Sequence, residues 1–125
     1  MNISTIQLVS VPVTDQDRAL AFYTEVLGLR LVRDNPMGEN ARWVEVAPAS
    51  GGTGLTLVTW FPQMPPGGVA GLVLQTDDID GDIARLKEHG VTVDGPQDAP
   101  WGRFGTLTDP DGNGIVLSGP PTPGT

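Results

Sequence analysis

One pattern occurs twice in this chain, about 62 residues apart. A β-branched, apolar run at 5–13 (TIQLVSVPV) leads through Thr14-Asp15 into the segment 16–27 (QDRALAFYTEVL), which stops at Gly28. A second run at 69–75 (VAGLVLQ) leads through Thr76-Asp77-Asp78 into 79–88 (IDGDIARLKE), which stops at Gly90. Each segment reads as a helix with an aspartate cap at its start and a glycine just past its end. In the first, Ala19, Phe22, Tyr23 and Val26 fall on one helical face. Three extended segments follow each helix: 29–34, 41–47 and 54–60, then 91–94, 103–108 and 114–118. Turn-rich stretches such as NPMGEN, PASGG and DPDGN separate them. The expected fold is therefore α+β, two paired βαβββ modules with a cupped mixed sheet. One face of each strand set would cover its helix, and the other faces would curve together around a cavity. The first module spans 1–62, a Pro/Gly-rich connector 63–68, the second module 69–118 and a flexible tail 119–125.

The 125 residues suit one small domain or two modules of this kind. The formal net charge of −8 argues against nucleic acid, whose phosphates need clustered Lys and Arg. No apolar run approaches the roughly 18–20 residues that span a bilayer, and the first residues lack the basic region of a secretory signal. No membrane partner is expected, and the cytoplasm is the expected location. There is no cysteine, so disulfides, thiolate metal sites and cysteine nucleophiles are excluded. The single histidine, His89, falls at the end of the second helix, where interaction with the helix terminus is the favoured reading over a metal or catalytic role.

The phrases VPVTDQDRALAFYTEVLGLRLV, LQTDDIDGDIARLKEHGV and GTLTDPDGNGIVL resemble the vicinal oxygen chelate superfamily, which includes glyoxalase I, extradiol dioxygenases and the fosfomycin- and bleomycin-resistance proteins. The resemblance covers residues 5–118. It implies that metal-dependent members hold a divalent ion with His or Gln on the first strand of each module and Glu on the last. Carried onto this chain by motif spacing, those positions are Leu8, Thr56, Gly71 and Val116. None offers an ionised or imidazole donor. The resemblance therefore implies the scaffold without the metal, and no cofactor or catalytic residue is expected.

Strand alternation then sorts the cavity lining. With Leu8 inward, Ile6, Ser10 and Pro12 share its face, while Val9, Val11 and Val13 face the helix. Thr56 brings Val58 and Trp60, Gly71 brings Val73 and Gln75, and Val116 brings Gly114 and Ser118. Trp60 and Trp101, with Trp43 behind them, either stack on a planar ligand or cap the sheets as core lids. Arg42 and Arg103 either orient an anionic or carbonyl-bearing ligand or pair with the chain's many carboxylates. Glu45, inside WVEVA, could be a buried base or unconventional ligand; the favoured reading sends it to solvent at a strand edge.

The expected ligand-binding set is Leu8, Ser10, Thr56, Val58, Trp60, Val73, Gln75, Trp101, Arg103 and Val116. The expected function is a metal-free small-molecule-binding protein of the glyoxalase/bleomycin-resistance type, sequestering an apolar or aromatic compound, with enzyme activity disfavoured. Two other readings stay open. One is a metal-dependent lyase, isomerase or dioxygenase with displaced ligands such as Glu45 and Gln75. The other is an interaction or regulatory module with a vestigial cavity. The expected partners are an unidentified small molecule and a second copy of the chain in a homodimer.

Overall fold

A computed structural model describes residues 1–39 and 41–120. The chain divides into two compact units, Met1–Gly68 and Val69–Thr125. The tail expected at 119–125 starts later, because Gly119 is buried in the last strand; residues 121–125 lie outside the described residues.

In the first unit the order is β1 (Leu8–Pro12), α1 (Gln16–Ala21), a π-helical turn (Phe22–Val26), β2 (Arg30–Pro36), β3 (Arg42–Ala47) and β4 (Gly54–Val58). The sheet order is β1-β4-β3-β2, with β1 parallel to β4 and the other pairs antiparallel. Asp15 caps α1 by accepting from the Arg18 N–H at 3.1 Å. The expected single helix over 16–27 is not continuous. At Ala21 the ladder widens, and the Leu27 N–H bonds the Phe22 carbonyl at 3.0 Å. The wider turn lets two consecutive aromatics point inward: Phe22 and Tyr23 are both buried, edge to face at 5.4 Å. Gly28, at φ 77°, ends the turn.

In the second unit the order is β5 (Leu72–Gln75), α2 (Ile79–Glu88), β6 (Asp94–Ala99), β7 (Gly102–Thr108) and β8 (Gly114–Gly119). The sheet order, β5-β8-β7-β6, repeats that of the first unit. Asp78 caps α2 through the Gly81 N–H, and Gly90 closes it, with Gly90 N–H on Lys87 O and Val91 N–H on Leu86 O. His89 is the C-terminal cap residue, as the spacing indicates. Two strands differ from expectation. β5 starts at Leu72 rather than 69. β6 occupies 94–99 rather than 91–94, because its DGPQDA sequence reads as a turn; an edge strand tolerates the proline, and the register shifts there between Asp94 and Gln97.

Alternation and two arginine clamps show which face each helix covers. Arg42 reaches Asp17 in the first turn of α1, so Val44 and Val46, which share its parity, face α1 and are fully buried. Leu55 and Leu57 join them from β4. Arg103 reaches Asp80 in the first turn of α2. Gly105, of the same parity, stands so close to the helix that a Cβ there would meet Ile83 Cδ1 at 2.8 Å. The two clamps occupy matching places in the two units, a correspondence of side chains as well as of backbone.

Candidate functional site

Each sheet's second face, turned from its helix, carries several polar and aromatic groups. In the first unit, register aligns Ser10 with Thr56 and Thr56 with Glu45 across β1, β4 and β3. Ser10 Oγ and Thr56 Oγ1 lie 3.0 Å apart in a hydrogen bond. Trp43, two residues before Glu45 and so on the same face, donates its indole N–H to Glu45 Oε1 at 3.0 Å. Thr56 is 1% exposed and Glu45 9%.

This corrects the reading of Glu45. It does not point to solvent at an edge, because β3 lies between β4 and β2 and has no free edge. Two further expectations are altered in the same unit. Val11 and Val13 are buried as expected, but Val9, grouped with them, is about half exposed on the edge strand β1. Ile6 precedes β1 and is exposed instead of lining a cavity. Leu8 shares the face of Ser10, and Val58 that of Thr56. Trp60 lies beyond the end of β4, half-buried against Phe61 with ring centroids 5.9 Å apart.

In the second unit, Val73 pairs with Val116 and Val116 with Thr106; Gln75 pairs with Ser118 and Ser118 with Phe104. These residues form one face, and it is open. Val73 is 59% exposed, and Gln75 is exposed beside it. A hollow of about 430 Å³ lies here, with Gly71, Asp94, Thr106 and Val116 in its wall. Phe104 stacks on Trp101 with centroids 5.4 Å apart and planes 28° from parallel. Trp101 itself is 60% exposed, so most of its surface lies outside the stack.

Arg103 stands apart from this set. Its guanidinium turns to the helix side, where it bonds Asp80 at 3.0 Å and Asp98 at 2.8 Å. Those carboxylates raise its pKa, Asp98 contributing most. Arg42 does the same in the first unit, held by Asp34 and Asp17. Of the two readings for these arginines, the carboxylate pair describes both.

A family model described as the glyoxalase/bleomycin resistance protein/dioxygenase superfamily matches residues 5–117. The chain belongs to this superfamily. Among solved structures in it, the chain is similar to TnmS3, an antibiotic binding protein from Streptomyces sp. CB03234, with 54% identity over 96% of this chain and 98% of that one, at a TM-score of 0.92. It is also similar to a glyoxalase/bleomycin resistance protein/dioxygenase superfamily member from Sphaerobacter thermophilus, at 36% identity, covering 95% and 99% of the two chains, with a TM-score of 0.88. Among curated proteins, YetH of Bacillus subtilis is 37% identical over 92% of this chain and 98% of its own.

The positions that the superfamily resemblance marks for a metal are Leu8, Thr56, Gly71 and Val116. Leu8 and Thr56 share one face of the first sheet, and Gly71 and Val116 share one hollow in the second unit. Within each unit the two positions thus lie together, but the donors do not suit a divalent ion. Three of the four positions carry aliphatic or no side chains, and the Thr56 hydroxyl is engaged with Ser10. Gly71 sits at φ +76°, a backbone that a histidine adopts only with strain. Among the described residues, no group of three His, Cys, Asp or Glu is placed to hold a metal.

Proposed function

We propose that this chain binds a small planar, aromatic or largely apolar compound without a metal and sequesters it. The observation that carries this reading is the likeness, at 54% identity over nearly the full length of both chains, to a protein described as antibiotic binding. Site chemistry supports it. The open face of the second unit offers Val73, Val116 and the Trp101–Phe104 stack as apolar and aromatic surface. Thr106 and Gln75 supply hydrogen bonds for orientation. The hollow of about 430 Å³ is of the size small-molecule sites have, roughly 300–1,000 Å³. In the first unit Leu8, Ser10, Thr56 and Val58, with Trp60 beyond them, are proposed as ligand contacts on that unit's own sheet, and the protein acts as a homodimer.

Tryptophan fluorescence titration with a panel of planar aromatic antibiotics tests the reading. Saturable quenching near one ligand per chain, with no change on adding EDTA, is the expected result. Emission untouched by every compound would overturn it.

A further inference from the structure

Glu45 is the feature that a purely apolar site does not explain. As a residue it is only 9% exposed, yet it enters no ion pair among the described residues. The single hydrogen bond it accepts comes from a neutral indole, to Oε1. A Cβ on Gly54 would stand 3.7 Å from Oε2 but only 2.9 Å from the Val46 carbonyl oxygen, so β4 runs tight against β3 beside that oxygen. Ser10 and Thr56 continue the same row, and their mutual hydrogen bond leaves a lone pair free on each oxygen. Oε1 is held by the indole, while Oε2 has no partner among the described residues and is not sealed from the surface, so it stays open to a donor from outside the chain.

We infer that the Glu45 row seats the cationic part of the ligand, so that the compound bound is an aromatic one carrying a protonated amine. This rests on the binding reading above and specifies the ligand's chemical class. Glu45 Oε2 accepts from the ammonium N–H, and the Ser10–Thr56 hydroxyls accept a second N–H from the same group. Trp43 holds Oε1 and thereby fixes the carboxylate plane. The chain's net charge of −8 draws such a cation in.

Two tricyclic probes of similar shape separate the inference from its foundation: proflavine, cationic at neutral pH, and acridone, neutral. Their affinities are measured by fluorescence for the wild type, Glu45→Gln and, as a control for net charge, Glu88→Gln on the exposed side of α2. The wild type is expected to prefer proflavine at least tenfold. Glu45→Gln should abolish that preference and leave acridone within twofold, and Glu88→Gln should change neither. Binding of acridone with no preference for proflavine, or a preference that survives Glu45→Gln, overturns the inference and leaves the binding reading standing. Binding of neither probe overturns both. Should the Gln variant fail to fold, the wild type in about 0.5 M NaCl decides instead. Salt screens a surface field but not contact with a buried carboxylate, so a preference lost in salt overturns the inference.

Discussion

Arg42 holds Asp34 side-on, Nε 2.7 Å from Oδ1 and Nη2 2.8 Å from Oδ2, while its third nitrogen reaches across to Asp17 on α1. The hydrogen bonds from Arg42 are the main cause that lowers the Asp34 pKa below the ordinary aspartate value. A carboxyl depressed in the folded state contributes stability above its unfolded pKa, and that contribution is lost as pH falls through the folded one. Asp34→Asn is therefore expected to flatten the loss of stability below about pH 4 seen in the wild type. The effect at neutral pH should stay under about 1 kcal/mol because water screens the pair. Urea denaturation at several pH values measures it; equal acid slopes for variant and wild type would contradict it.

Asn113 is fully buried at the close of the β7–β8 turn. Its Oδ1 accepts from the Val69 N–H at 3.1 Å, and its Nδ2 donates to Asp109 Oδ2 at 2.8 Å. It ties the turn to the chain entering β5. Asn113→Ala removes both side-chain bonds and takes the acceptor from the Val69 N–H, and should cost about 2–4 kcal/mol. Chemical denaturation provides the check, and a cost below about 0.5 kcal/mol would show that the turn holds without it.

Gly71 has open space where a Cβ would stand, so only its positive φ restricts it. Gly71→Ala should destabilise by about 1–2 kcal/mol, and Gly71→Asn by less, since Asn tolerates the left-handed region. Thermal unfolding of the pair tests the order. The reverse order would mean that contact, not backbone, sets the cost. The same φ explains why placing a histidine here to rebuild a metal site would work against the backbone.

Trp101 is mostly exposed and stacks on Phe104. Trp101→Ala should weaken binding of a planar ligand about tenfold while changing stability by no more than about 0.5 kcal/mol. Titration and melting on the same variant separate the two effects. Unchanged affinity would remove the stack from the site.

The helix starts at Asp15 and Asp78 and the stops at Gly28 and Gly90 were legible because each is a local rule: a side chain bonding a nearby N–H, or a glycine accepting positive φ. The paired-sheet architecture followed from the repeat. What escaped depends on neighbours far along the chain. Glu45 looked like an edge residue until the strand order placed β3 inside its sheet. Arg103 counted with the site because nothing local shows that Asp80 and Asp98 converge on it. β6 was displaced because an edge strand with Pro96 carries no apolar alternation to read.

In β3 and β7 adjacent residues have opposite duties: Arg42 fastens a helix and Trp43 does not, and Arg103 fastens a helix while Phe104 meets Trp101. A strand's side chains alternate strictly, so one inserted or deleted residue in either strand would exchange the two sets at once. Substitution, by contrast, can alter one set and leave the other alone. On the binding reading proposed above, ligand range is free to drift by point changes at every second position of these strands, while their lengths are held constant by the clamps on the reverse side.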